Sequence, residues 1–355
     1  MSALADDLRS ALGADRVKTG PSELSLYRRD SSNMSGSASV VCLPETTAEV
    51  QSCVRIAARH GVPFVPRGSG TGLAGGAVPL DGAVVIATSK MNRITEVDEV
   101  NRLAWVQPGL LNLDLSNRLE HLGVHFAPDP SSQQTCSIGG NVANNSGGPH
   151  CLADGVTASH VLAVEVVLAD GTVTVLGGEE PEPVGLDLRG VFVGSEGMLG
   201  VATAVCVRLT QNPPAVQTML MDFASVEDGA ATVSGIIAAG IVPAAVEMMD
   251  QLCLRVVEAY IHADLPVDAA AALLVEVVGL PNGLDADVER ILEVAAVHHV
   301  GSVRIARDEA ERALLWKGRK SAFGAIARIQ PNYYLHDTVV PRSKLPEVLT
   351  KVYEI

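Results

Sequence analysis

Pro66-Arg67-Gly68-Ser69-Gly70-Thr71-Gly72-Leu73-Ala74-Gly75-Gly76 is the stretch on which the fold turns. Its centre, Gly70 to Gly75, has the spacing G-x-G-x-x-G and follows an apolar run over residues 62–65. In a doubly wound dinucleotide fold, a helix opens inside such a loop so that its N-terminus meets the pyrophosphate. Here Pro79 and Asp81-Gly82 follow almost at once, and no such helix fits. The glycines keep a physical meaning without it. Five of the nine residues 68–76 are glycine, enough to turn backbone N–H groups toward an anion, and Arg67 adds charge. A mobile surface loop is the plain alternative.

Two further clusters share this character. Pro128-Asp129-Pro130-Ser131-Ser132 leads into Thr135-Cys136-Ser137-Ile138-Gly139-Gly140-Asn141-Val142-Ala143-Asn144-Asn145-Ser146-Gly147-Gly148, small and polar with almost no charge. Such a stretch can wrap a planar polar ligand, donating and accepting from backbone, hydroxyl and amide groups while keeping bulk away. Gly194-Ser195-Glu196-Gly197-Met198-Leu199-Gly200-Val201 follows an expected strand over residues 191–193. Three Gly-rich polar clusters inside one domain point to one large binding site.

Between the clusters the chain alternates regular elements. Residues 40–43 read as a strand. Thr46 and Glu49 form a capping box for a helix that ends at Gly61. Strands are expected near 62–65, 83–87 and 103–106, and a helix over 112–122 is closed by Gly123. Asp170-Gly171 separates two β-rich runs, as in a two-residue hairpin. At Asn212-Pro213-Pro214 the pattern resets, a domain boundary. Beyond it strands near 218–223, 272–278 and 303–306 alternate with helices over 225–240, 285–299 and 308–328, an antiparallel sheet with helices on one face. The resulting division is a helical, then Ser-rich segment over 1–36, a domain over 37–213 and a second over 214–355. The chain stops just as residues 345–352 begin another helix, so the second domain is expected to be incomplete.

The 355 residues leave ample room for buried cores, and 47 % hydrophobic with 19 % charged residues argues against disorder. A net charge of −15 with no basic block excludes the clustered cations on which nucleic-acid binding depends. Six cysteines without a C-x-x-C pair fit a reduced, intracellular chain and offer no pattern for an iron–sulfur cluster. No run approaches the length of a membrane span, so membrane contact would be indirect.

The PRGSGTGLAGG loop, the PDPSS…TCSIGGNVANNSGG segment and GSEGMLGV together resemble the FAD-binding domain of the vanillyl-alcohol-oxidase and para-cresol-methylhydroxylase (PCMH) type. Within that type the chain is similar to the FAD-linked 2-hydroxy-acid dehydrogenases, the group of the glycolate oxidase flavoprotein subunit and the D-lactate and D-2-hydroxyglutarate dehydrogenases. The likeness extends through Glu247-Met248-Met249-Asp250, residues 308–320, and Tyr333-Tyr334 to Pro341-Arg342. It implies an α+β fold, with a PCMH-type domain of two α+β subdomains followed by a ferredoxin-like α+β cap, truncated here.

By the same resemblance, Arg67, Gly68, Ser69, Gly70, Thr71, Gly72 and Leu73 hold the FAD pyrophosphate. Pro128, Asp129, Ser132, Thr135, Ile138, Gly139, Gly140, Asn141 and Asn144 line the ribityl chain and isoalloxazine, and Glu196, Gly197 and Val201 complete the adenine and ribose side. Some relatives attach the flavin through a His at about the place of Thr71, so FAD is expected to be dissociable. The implied reaction is oxidation of a small 2-hydroxy acid, glycolate or D-lactate, with electrons leaving through separate iron–sulfur and second flavin-binding subunits. The implied location is the cytoplasm, at the inner membrane only through those partners. A guanidinium suits the substrate carboxylate, and Arg319 is the candidate; a solvated basic face over 312–320 is the alternative. Relatives carry H-x-G-D-G-N-x-H and G-E-H-G-I-G stretches that do not occur here, and His336 alone assigns no metal. Asp154 stands where relatives have Tyr, and Leu335 near a Lys of dicarboxylate-handling relatives, which favours a monocarboxylate. The missing histidines would also permit a non-catalytic FAD-binding subunit. A nicotinamide enzyme is the remaining alternative.

Overall fold

The computed structural model describes residues 3–180, 184–330, 333 and 335–354. Tyr334 of the Tyr333-Tyr334 pair lies outside the described residues. The chain divides into two compact units, one of residues 1–148 and 155–212, the other of 149–154 and 213–355.

The first unit holds two larger sheets and a two-stranded one. Val17–Lys18 (β1), Ala38–Cys42 (β2), Phe64–Arg67 (β3) and Ala83–Ala87 (β4) form one, in the order β1-β2-β4-β3, with β2 and β3 both parallel to β4. Strands that run parallel need a crossover, and helix Thr47–Arg59 provides it from β2 to β3, on the far side of β4. Thr46 Oγ1 accepts from Glu49 N at 3.2 Å while the Glu49 carboxylate accepts from Glu45 N at 2.7 Å, so both ends of the cap are satisfied. Val50, Cys53, Val54 and Ala57 then face the sheet, where Leu4, Leu8 and Leu12 of helix Ala3–Leu12 join the same core.

The second sheet takes Ile94–Asp98 (β5), Leu103–Val106 (β6), Val161–Val167 (β8), Val173–Gly177 (β9) and Val201–Arg208 (β10), in the order β5-β6-β10-β8-β9. All its pairings are antiparallel. The short strands Val124–His125 (β7) and Thr210–Gln211 (β11) pair separately. The Asp170-Gly171 turn joins β8 to β9 with Gly171 at φ 79°, a conformation that glycine adopts without strain. Residues 191–193 are not a strand. Asp187 Oδ1 accepts from Gly190 N at 2.9 Å and caps a helical turn, Leu188–Phe192, so a local cap prevails over β-branched composition.

In the second unit Ala215–Phe223 (β12), Ala245–Asp250 (β13), Ala271–Gly279 (β14) and Val300–Ile305 (β15) make an antiparallel sheet in the order β13-β14-β12-β15, a ferredoxin-like arrangement. Helices cover both faces, not one. Met219, Met221 and Phe223 pack with Ile236, Leu284 and Ile291. On the other side Leu220 and Leu274 pack with Leu254, Val257, Leu315 and Trp316. The central strands are apolar at successive positions, which is the pattern of a sheet buried twice. The helix expected over 308–328 breaks at Ser321 into Glu309–Lys320 and Ala322–Ile326. All six cysteines are free, and among the described residues no helix is long and apolar enough to cross a membrane.

Candidate functional site

The three Gly-rich clusters meet within the first unit. Strand β3 ends at Arg67 and delivers residues 68–76 as a loop without helix. Gly70 sits at φ 75°, and a Cβ there would collide with Arg67 Nη2, so both backbone and space require glycine. The Arg67 guanidinium does not point outward as free charge. It is buried, donating through Nη1 to Ala77 O at 2.9 Å and Tyr27 O at 3.3 Å, and through Nη2 to Arg29 O at 2.8 Å. Its Cζ lies 5.5 Å from the Tyr27 ring centroid, and burial lowers its pKa. Arg67 therefore closes the base of the loop, and anion recognition is left to the main chain. Among the described residues, none of the N–H groups of 69–74 donates a hydrogen bond within the protein.

The second cluster is not structureless. Ser137 Oγ accepts from Gly140 N at 3.3 Å and starts the helix Ile138–Asn144. Glycines stand where the chain crowds: Gly139 N donates to Pro108 O at 2.7 Å, and a Cβ on Gly139 would lie 2.7 Å from Pro108 Cβ. Buried Asn112 donates through Nδ2 to Pro128 O at 2.8 Å and Asn141 Oδ1 at 2.9 Å, tying the start of the cluster to its helix. The helix ends at Asn145, whose φ of 47° is left-handed.

Contacts join the clusters in a ring. A Cβ on Gly68 would collide with Ser137 Oγ, bringing the first loop against the second cluster. Gly194 N donates to Val142 O and Glu196 N to Ala143 O, both at 2.8 Å, joining the third to the second. A Cβ on Gly197 would lie 3.2 Å from Pro66 Cγ, and one on Gly76 3.5 Å from Glu196 Oε2, which returns to the first. Glu196 itself holds φ 54°, a conformation that side chains adopt at a cost and mostly at functional turns.

The expected residues divide by what remains available. Gly68, Ser69, Gly70, Thr71, Gly72 and Leu73 share the open loop, and Gly140, Asn144, Glu196 and Gly197 adjoin it. The side chains of Ile138 and Val201 are core residues, leaving only their backbone for a ligand. Asn141 is committed to Asn112, and Asp129 is buried with Pro128 at the start of the second cluster. Thr135 Oγ1 donates to Ser132 O at 3.1 Å, so this pair shapes a turn. Ser137, Asn112 and Pro108 are additional organising residues that sequence reading did not mark; the one local signal that could have found them is the Ser137 hydroxyl ahead of Ile138-Gly139-Gly140, where it caps the helix. Buried Ser195 Oγ and Asn112 Oδ1 have no hydrogen-bond partner. N–H groups left without an acceptor on a glycine-rich loop fit the pyrophosphate of FAD.

Arg319 belongs to the second unit. It is ion-paired, with Nη2 at 2.6 Å and Nε at 2.7 Å from the same oxygen, Oε2 of Glu247 on β13. Its helix is fixed by a buried carboxylate that sequence reading did not mark. Glu276 accepts from Thr218 Oγ1 at 2.6 Å, Arg312 Nε at 2.9 Å and Trp316 Nε1 at 2.5 Å, and His150 Nε2 lies 3.2 Å away. Burial works against ionisation of Glu276, yet the hydrogen bonds from His150, Arg312 and Thr218 outweigh it and hold its pKa well below the usual carboxylate range. Among the described residues no group of His, Cys, Asp and Glu could hold a metal ion.

Known proteins match this architecture domain by domain. Residues 38–177 match the FAD binding domain, and residues 212–355 match the C-terminal domain of FAD linked oxidases. The chain is 45 % identical over 310 residues to the glycolate oxidase subunit GlcD of Escherichia coli K12, covering 87 % of this chain and 62 % of that one. It is 41 % identical to GlcD of Bacillus subtilis 168, covering 89 % of this chain and 67 % of that one. It thus spans somewhat under two thirds of the length of the first of these relatives. The fold is also that of p-cresol methylhydroxylase solved with substrate bound, with TM-score 0.73 at 19 % identity over 91 % of this chain and 70 % of that one. With FAD as its cofactor, the chain belongs to the family of FAD-linked oxidases.

Proposed function

We propose that this chain forms the FAD-binding and substrate-orienting part of a dehydrogenase that oxidises a small 2-hydroxy acid, glycolate or D-lactate, to the 2-oxo acid. The observation that carries the reading is the ring of three Gly-rich clusters, in a chain 45 % identical to a glycolate oxidase subunit. Main-chain N–H groups of residues 68–73 bind the pyrophosphate, and the turn and helix over 132–144 line the ribityl chain and ring system. Glu196, Gly197 and the Val201 backbone complete the adenine side. When bound, FAD supplies a hydride acceptor at N5 for the substrate Cα–H, while a base takes the hydroxyl proton. Arg319 fixes the substrate carboxylate, since a guanidinium gives orientation as well as charge.

Because the relatives are named as subunits, we assign the onward electron path to partner proteins, an iron–sulfur subunit and a second flavin-binding subunit. The chain would work in the cytoplasm and approach the inner membrane only through them. The test is anaerobic addition of glycolate or D-lactate to the flavin-loaded protein. Bleaching of the visible flavin absorption is expected. A bound flavin that stays oxidised with both acids would overturn catalysis and leave a binding subunit.

A further inference from the structure

A strand at the end of a sheet lacks a neighbour on one side, and chains blunt such edges with charge, proline or a break in register, because free main-chain groups recruit another strand. Five of the six terminal strands of the larger sheets follow that rule. β1 is two residues long and includes Lys18, β3 carries Pro66 and Arg67, and β5 carries Glu96 and Asp98 with a register shift after Ile94. β13 carries Glu247 and Asp250, and β15 carries Arg304 with a register shift against β12. β9 is the exception. Its residues Val173-Thr174-Val175-Leu176-Gly177 include neither charge nor proline, and its register with β8 runs unbroken.

The ladder fixes which groups are free. Leu168 N donates to Thr172 O at 2.8 Å and Gly178 N to Leu162 O at 3.3 Å. In the alternation of an antiparallel pair, Thr174 and Leu176 therefore bond to β8, while Val173 and Val175 turn their N–H and C=O groups to the open edge. Apolar surface borders that edge on both faces. Val173 and Val175 are 38 % and 52 % exposed on one face. On the other, where Leu176 joins the core with Phe192, the helix Leu188–Phe192 packs beside β9 and leaves Leu188 and Val191 exposed, one turn apart. The flanks are acidic. Asp170 precedes the strand, Glu179 and Glu180 follow it, and Asp187 caps the helix; Arg55 on Gly171 O and Arg189 on Asp187 offset only part of this charge.

We propose that β9 is a docking edge, to which an extended segment of another protein, flanked by Lys or Arg, adds as a further strand. Main-chain bonds to Val173 and Val175 give it affinity, and its apolar side chains cover Val173, Val175, Leu188 and Val191. A second copy of this chain is the poorer occupant. Antiparallel pairing of two β9 strands would bring Asp170 of each toward Glu179 and Glu180 of the other, in chains that each carry −15. The edge is read from the sheet alone, so it stands apart from the activity proposed above.

The test uses the full chain and two fluorescent peptides of alternating Val and Thr, one flanked by lysines and the other by glutamates. The basic peptide is expected to bind, as read by anisotropy, and to slow amide exchange at Val173 and Val175. Val175→Pro removes an outward donor without touching the ladder to β8. It should weaken that binding about tenfold while the circular dichroism spectrum is retained. If this variant does not fold, Val175→Lys takes its place, setting a like charge on the edge, with the same expected loss. Equal binding of the acidic peptide, unprotected amides at Val173 and Val175, or binding that survives both substitutions would overturn the proposal. So would a dimer in sedimentation that Val175→Lys dissolves, since the edge would then belong to a second copy.

Discussion

Glu276 is the residue whose chemistry is most constrained. It is 1 % exposed and surrounded by Thr218, Arg312, Trp316 and His150, so removing its charge leaves the Arg312 guanidinium, among the described residues, with Glu309 at 2.9 Å as its remaining carboxylate. Glu276→Gln is expected to cost about 3 kcal/mol of second-unit stability at neutral pH. The pH dependence has a definite sign. The folded pKa lies below the unfolded one, so the stabilisation is complete above the ordinary carboxylate range and is lost as pH falls below it toward the folded value. Denaturant titrations at neutral pH and near pH 4 should show the gap between parent and Glu276→Gln narrowing on acidification; a constant gap would be the contrary result. Nothing in the order of residues announced Glu276. Its partners come from β12, the helix Glu309–Lys320 and the excursion 149–154, and only folding assembles them.

At the scale of elements, the seven-residue helix Ile138–Asn144 carries the second cluster, against which the first and third clusters pack. Two glycines lower its intrinsic stability, so the Ser137 cap and the packing of Ile138 and Val142 must hold it. Ser137→Ala removes the cap and the hydroxyl that adjoins Gly68, at a cost of about 1 kcal/mol. Flavin affinity, measured by fluorescence quenching, should fall severalfold while the second unit melts unchanged. Here local sequence and structure diverge for a physical reason. Polar and glycine residues gave no helical periodicity over 138–144, while long-range hydrogen bonds from Gly139 to Pro108 and from Asn112 to Asn141 impose the turn. The reverse holds for Thr47–Arg59, where cap and apolar spacing sufficed to mark the helix.

Across the whole molecule, separate cores in the two units predict two unfolding transitions. FAD at a hundredfold excess over its dissociation constant should raise the first unit's transition by about 2.7 kcal/mol and leave the second in place, which differential scanning calorimetry would resolve. A single transition that moves as one would contradict this.

The sequence alone determined most of the element rhythm and the three places where glycine is concentrated, because caps, turns and side-chain period are encoded within a few residues. Tertiary structure alone decided that Arg67 is spent on carbonyls at the base of its loop, that the cap sheet is covered twice, and that Arg319 is already paired with Glu247. Those outcomes depend on which groups meet across long stretches of chain. A charged side chain leaving water takes whatever partner the fold brings within reach, and no local pattern names that partner.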